Sequence, residues 1–464
     1  MDGVWTFDLS QYEAVWAAII QLLLLFTFLL IGNALRRTIP FLKKSYIPSA
    51  LIGGGLLFLA NYIFKKFGIV IVNQRLMQIF TYHALAIGFI ASSLKIAKKD
   101  NKSTFKDALQ NGAITGGTYM LQAIIGIIAS IIFFAIGTSM FYDAGILLPL
   151  GFGQGPGNAL IWDLNFTAMD TNNFNGQGSV GLTIASIGFI VSSVVGILYI
   201  NFFKRKGEIT HKDSVYNRKV TDFETDNEIE DSESVDKFSI QFSQVALCYG
   251  ISFLIMVFFA NLSKWTGVQL FNSVAWGFNF LWGVISAIIV KTIIQLLEKK
   301  QVIKRRYINN YQMDRISGLA FDLMIIAGVA AIDTQTVGNY LWFIAIISVL
   351  GALATTIYVR LMSKLCFKKY QHESFLVNFG TLTGTASNGM ILLREIDPNY
   401  ETPINDIFIF SQLPAMIFVA PLLLLLNMSA TSFKNCIISL SIFTALFIGY
   451  TVFLVCSGKK SKNK

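Results

Sequence analysis

Two glycine-rich polar stretches interrupt long apolar runs in this chain, and they sit at matching places in its two halves. The first is Leu150-Gly151-Phe152-Gly153-Gln154-Gly155-Pro156-Gly157-Asn158, and the second is Phe379-Gly380-Thr381-Leu382-Thr383-Gly384-Thr385-Ala386-Ser387-Asn388-Gly389. A helix facing lipid does not tolerate such a break, because each freed backbone amide or carbonyl costs several kcal/mol in hydrocarbon. Each break must be buried in protein or line a wet cavity. A matched pair of interrupted apolar segments points to the binding site of a secondary transporter.

The rest of the composition places that pair in a bilayer. The chain is 54% hydrophobic and only 14% charged, against about 25% charged in soluble domains. This reads as a polytopic membrane protein with no large aqueous domain, and its 40 phenylalanines suit lipid-facing surface. The four cysteines (Cys248, Cys366, Cys436 and Cys456) are scattered, with no CxxC pair, so neither a disulfide framework nor a zinc site is expected. A cleavable leader is not expected either, since Asp2, Asp8 and Glu13 precede the first apolar run where a basic region would stand.

A spanning helix needs about 20 mostly apolar residues. The first half offers Tyr12–Ala34, Ile47–Phe64, Leu76–Ile96, Gly112–Gly137 and Ser179–Phe203. The second half offers Ser239–Leu262, Val274–Leu297, Ile316–Asp333, Tyr340–Met362 and Asn405–Leu426, and Phe433–Cys456 is one further span. The glycine-rich stretches fall between the fourth and fifth spans of each half, at about 145–165 and 375–395, and each reads as a re-entrant hairpin. The expected fold is an all-α polytopic membrane protein. It has inverted five-helix repeats at 1–203 and 238–427, each with a re-entrant hairpin, and an extra C-terminal helix with a basic tail at 428–464.

Between the halves, Lys204–Lys237 holds ten acidic residues against seven lysines and arginines. Such blocks are solvated linkers. Basic residues fix the orientation, since they gather in cytoplasmic loops. With the N-terminus outside, the inner loops carry Arg36, Arg37, Lys43 and Lys44, then Lys95, Lys98, Lys99, Lys102 and Lys106. They also carry the linker's seven, the Lys299–Arg315 cluster, and Arg360, Lys364, Lys368 and Lys369. The tail adds Lys459, Lys460, Lys462 and Lys464, which puts the C-terminus inside. The outer loops keep few, with Lys65-Lys66 as the awkward pair. An odd number of spans per half inverts the second half relative to the first. The hairpins then enter from opposite sides and meet near the midplane, as alternating access requires.

At this point the chain resembles the bacterial glutamate:sodium symporter family. Phe41-Leu42-Lys43-Lys44-Ser45-Tyr46-Ile47-Pro48 followed by Gly53-Gly54-Gly55 is similar to that family's basic loop, Ile-Pro and glycine pair at the second span. Gly153-Gln154-Gly155-Pro156-Gly157 lies where the family carries a Gly-His-Gly-Thr-Gly hairpin. Phe379 to Gly389 lies where its second glycine-rich hairpin falls. Here Gln154 replaces the family's His and Pro156 its Thr, and Phe433–Cys456 looks like an addition. The resemblance implies sodium-coupled uptake of an amino-acid or carboxylate anion, a homodimer, and a place in the bacterial cytoplasmic membrane. It implies no nucleic-acid partner and no cofactor, with Na+ as the coupling ion.

Broken helices supply both halves of the required chemistry. Free carbonyls, hydroxyls and amides suit sodium, and helix N-termini attract a carboxylate. Gln154, Asn158, Thr383, Thr385, Ser387 and Asn388 are therefore assigned to substrate or ion contact, and Gly153, Gly155 and Gly384 to ion contact through the backbone. The competing reading is that these glycines only permit close helix packing. Arg394 is a further substrate candidate, because Arg forks onto carboxylates, although Glu395 and Asp397 are nearby acidic partners. Asp322 lies in an apolar span, and a carboxylate there is a default ion-site candidate; a buried pair between two helices would explain it equally. His83 falls in the inverted partner of that span and reads as a bonded interfacial histidine. Asp143 and Asp333 are placed at the outer surface. Trp5, Trp162, Trp265 and Trp342 are placed at the interfacial belts.

Three other classes are weighed. A sodium- or proton-coupled carrier of another carboxylate, such as citrate or malate, would use the same architecture. An intramembrane enzyme is disfavoured, since no Gly-x-Gly-Asp, Gly-x-Ser-x-Gly or His-Glu-x-x-His pattern occurs. A channel is disfavoured because nothing resembles a four-fold carbonyl-ring filter.

Overall fold

The computed structural model describes residues 12–45, 47–96, 102–169, 174–209, 237–267, 269–303, 305–397 and 402–460. The bulk of the acidic linker, Trp5 and the end of the basic tail lie outside these residues. Among the described residues the fold is all-α, with no strand. The first half contains α1 (Tyr12–Thr38), α2 (Pro40–Lys44), α3 (Ser49–Lys66), α4 (Gln74–Leu94), α5 (Lys102–Ala135), α6 (Leu147–Gln154), α7 (Pro156–Ala168) and α8 (Ser179–Arg205). The second contains α9 (Lys237–Thr266), α10 (Gln269–Gly277), α11 (Asn279–Lys299), α12 (Asn310–Ala330), α13 (Thr334–Asn339), α14 (Leu341–Cys366), α15 (Gln371–Leu382), α16 (Ala386–Ile396), α17 (Ile404–Phe410), α18 (Gln412–Thr431) and α19 (Phe433–Lys460).

Among the described residues nine helices are long and apolar enough to cross a membrane, which makes this a multi-pass membrane protein. Eleven spans were expected. The two that fall short, Ile47–Phe64 and Ile316–Asp333, fold as α3 and α12. α12 carries Asp314, Arg315 and Asp322, and it packs on α1, α3, α4, α7, α8 and α9. A helix enclosed by other helices has less need of an apolar surface. Two other spans are interrupted. Val274–Leu297 breaks at Phe278, where the backbone leaves the helical region (φ −119°, ψ 36°). Asn405–Leu426 starts as α17, kinks at Ser411 and resumes as α18, whose Pro414 has no N–H to continue the ladder.

α4 and α12 begin with the same local device. Asn73 caps α4 by accepting from Leu76 N at 3.1 Å, while its own N–H donates to Gln21 Oε1 of α1 at 3.0 Å. Asn309 caps α12 by accepting from Gln312 N at 2.9 Å, while its own N–H donates to Gln241 Oε1 of α9 at 3.0 Å. Each glutamine also donates to the carbonyl two residues before its asparagine, at Ile71 and at Tyr307. α4 and α12 then lie antiparallel along each other. Asn310 at the start of α12 bonds Ile96 just past the end of α4, and Ser317 donates to the Gly88 carbonyl.

Packing sorts the helices into two groups. α1, α3, α4 and α9–α12 form one, and α5–α8 with α14–α19 form the other. They meet chiefly along α7, where Gly157 abuts Leu85 of α4 and Pro156 abuts Gly328 of α12.

Candidate functional site

Each glycine-rich stretch is a helix, a tight break and a second helix. The first break is Gly155, at φ +82° and ψ −174°, a region that glycine alone occupies readily. Pro156 follows at the first turn of α7, where its missing N–H has no partner to lose. The second break is Thr383-Gly384-Thr385, between α15 and α16. Its arms touch backbone to backbone: a Cβ on Gly380 would stand 2.7 Å from the Gly389 Cα, and one on Gly389 would stand 2.3 Å from the Val377 carbonyl oxygen.

The two tips face each other. A Cβ at Gly155 would lie 3.8 Å from the Thr385 methyl and 3.5 Å from Met324 Cε of α12. Both hairpins lie along α8. Gly181 sits under Ala159 and Ile184 under Gly151 of the first hairpin. Gly188 then meets both Phe152 and the Thr383 carbonyl, Ser192 donates to the Gly380 carbonyl at 3.4 Å, and Gly196 receives Leu392. α5 crosses the other side. Tyr119 abuts Gly153. Gln122, one turn later, donates to the Leu382 carbonyl at 3.0 Å and to Thr355 Oγ of α14 at 2.8 Å.

Several polar side-chain atoms around these tips are buried without a hydrogen-bond partner: Asn158 Oδ1, Gln122 Oε1 and Asn388 Nδ2. Asn158 is 0% exposed and donates to Gln154 Oε1 at 2.6 Å. Asn388 is 4% exposed, and its Oδ1 receives only a 3.4 Å contact from Thr385 Oγ. Buried polar groups are paired in the great majority of cases, so a cluster of orphans at two helix breaks calls for an explanation. Thr383 is satisfied locally, donating to the Phe379 carbonyl at 2.7 Å. Gly384 presses its α-carbon toward the Asn388 amide, leaving 2.6 Å to any added Cβ.

Of the residues expected from sequence, Gln154, Asn158, Thr383, Thr385, Asn388, Gly153, Gly155 and Gly384 are brought together at or beside the tips. Ser387 is on the same turn of α16 but exposed. Arg394 is exposed in the last turn of α16, about three turns from the break; Glu395 pairs with Lys204 at 3.2 Å instead. Asp322 is two residues from Met324, on the opposite side of α12, and lies in the field of Arg36 of α1. Neither charge is brought to the tips. His83 bonds the Tyr249 hydroxyl. Among the described residues no group of three or more His, Cys, Asp and Glu could hold a metal, so a cation at the tips would rely on neutral oxygens.

Two surface placements are corrected. Asp143 is fully buried: Ser429 Oγ donates to it at 2.6 Å and Cys436 Sγ lies 3.6 Å away, which fastens the entry of the first hairpin to α18 and α19. Trp162 is fully buried on α7 between Phe166 and Phe278, whereas Trp265 and Trp342 are exposed as expected. Sequence reading also missed Asp163, a buried carboxylate on α7 that accepts from Gly181 N at 2.8 Å. It sits at the N-terminus of α8 and locks the first hairpin onto that helix. Also missed was the chain Asn378–Asn111–Ser411, which ties α15 to α5 and to the kink before α18 at 2.7 and 2.8 Å. At the far end of α15, His372 Nδ1 lies 2.9 Å from the Tyr199 hydroxyl, and its Nε2 lies 3.3 Å from Glu208 at the start of the linker. The glycine and serine spacing of α8 at 181, 188, 192 and 196 was the available signal for a helix carrying both hairpins.

No protein-family model matches the chain, and no curated protein matches it.

Proposed function

We propose that this protein is a secondary active transporter that carries glutamate, or a related small anionic amino acid or carboxylate, together with sodium by alternating access. The observation that carries this reading is the facing pair of helix breaks with orphaned buried amide atoms from Asn158, Gln122 and Asn388 around them. The N-termini of α7 and α16 offer backbone N–H groups to a carboxylate, and Asn388 Nδ2 offers another donor. The carbonyl end of α15, with Gln122 Oε1 and Asn158 Oδ1, offers oxygen ligands to sodium. The hairpins are re-entrant in this reading, and the halves are inverted repeats. The matched Gln21–Asn73 and Gln241–Asn309 caps and the antiparallel α4–α12 pair support that symmetry. Relative motion of the two helix groups along α7 would expose the tips alternately to each side. The protein is proposed to lie as a homodimer in the bacterial cytoplasmic membrane, N-terminus outside and C-terminus inside, as its basic loops favour.

The test is uptake of radiolabelled L-glutamate into proteoliposomes. An inward sodium gradient is expected to drive accumulation that excess unlabelled glutamate competes away, and replacing sodium by potassium is expected to abolish it. No uptake by liposomes shown to contain folded protein would reject glutamate as the substrate.

A further inference from the structure

The ends of α14 and α15 form a surface groove of about 450 Å³, lined by Leu361, Lys364, Leu365, Lys368 and Gln371. Its composition is split. Leu361 and Leu365 on α14 give it an apolar wall, with Leu361 55% exposed, and Gly458 of α19 closes against Leu365. Lys364 and Lys368 stand exposed at its polar end, and neither has an ion-pair or hydrogen-bond partner among the described residues. Gln371 Oε1 is buried there without a hydrogen-bond partner.

We propose that this groove binds an anionic phospholipid, with the headgroup phosphate between Lys364 and Lys368 and an acyl chain along Leu361 and Leu365. Phosphatidylglycerol combines the single phosphate charge and the acyl chains that these lysines and leucines call for. The chemistry follows from position. Apolar side chains on the outside of a membrane helix are covered by acyl chains, and unpaired lysines at the end of that helix sit at headgroup level. Basic pockets between helices on the cytoplasmic side recognise anionic headgroups by this pairing. A polar peptide would leave Leu361 and Leu365 uncovered. The site requires a bilayer but no transport, so it stands or falls independently of the transport reading.

The test reconstitutes the full chain in liposomes with a trace of phosphatidylglycerol or phosphatidylcholine carrying a photoactivatable acyl chain, followed by peptide mapping. Labelling of residues 361–371 is expected to be about fivefold or more greater with phosphatidylglycerol. It is expected to fall to the phosphatidylcholine level in Lys364→Gln/Lys368→Gln and to persist in Lys364→Arg/Lys368→Arg. Both lysines are exposed, so these variants should fold, and gel filtration checks that they do. Equal labelling by the two lipids, labelling by neither, or unchanged labelling in the Gln variant would overturn the proposal.

Discussion

Replacing Asn388 by alanine is expected to reduce sodium-driven glutamate uptake by about tenfold to a hundredfold at sub-saturating substrate while the protein stays folded. The magnitude follows from one lost hydrogen bond to a charged group, about 1.5–3 kcal/mol, at about 1.4 kcal/mol per tenfold. The Asn388 amide is nearly fully buried, its Nδ2 has no partner, and it sits one turn into α16 beside the break. The amide gives up only the long 3.4 Å contact from Thr385, so its removal costs the fold little. Removing it from a ligand costs what the ligand gained. Thr385→Ala is expected to act in the same direction, because its hydroxyl is aimed at Asn388 Oδ1. Uptake kinetics unchanged in both variants would remove the second hairpin from the site.

Gly389→Ala is expected to act on the fold and the transport together. The new methyl would stand 2.3 Å from the Val377 carbonyl oxygen and 2.4 Å from Thr381 Oγ. The hydroxyl can rotate away, but the carbonyl belongs to the α15 backbone and cannot. The arms of the second hairpin must separate, at a cost of about 2–3 kcal/mol for overpacking, and the tip is displaced from Gly188. A lower melting temperature of the detergent-solubilised protein, with uptake largely lost, is the expected result. Gly250→Ala on α9 is the matching control. Nothing lies within 4 Å of its added methyl, and alanine favours the helix by up to about 1 kcal/mol, so stability should hold or rise. Equal behaviour of the two variants would show that the arm contact does not set the hairpin.

The helix breaks were legible in the sequence because glycine and proline act locally. Gly155 needs its positive φ wherever the chain places it, and Pro156 starts a helix without tertiary help. Span positions were legible because apolar length is a one-dimensional property. Where a side chain points is not. Asp143 looked like a surface residue because it follows a span end, and Trp162 because tryptophans gather at membrane interfaces. Their burial comes from α18–α19 and from Phe278, far away in sequence. Asp322 was open to two readings, an ion ligand or a buried pair between two helices, and only the fold shows that it lies in the field of Arg36 of α1. Gln122 was invisible for the opposite reason. A single amide in an apolar helix carries no pattern, and only the fold shows it reaching the end of α15. The two helices weakest in apolar length, α3 and α12, lie against each other, where a lipid-exposure rule applies least.

The most direct test of the central claim, that the two tips form one site for substrate and sodium, is the affinity of the purified protein for glutamate in sodium and in potassium, with the reciprocal sodium titration. Two ligands sharing one site couple by about 1–3 kcal/mol, or about 5–150-fold, and the factor must be the same from either side. The account predicts that sodium tightens glutamate binding at least about fivefold and that glutamate tightens sodium binding by that same factor. Equal glutamate affinity in the two salts, on folded protein, would contradict it.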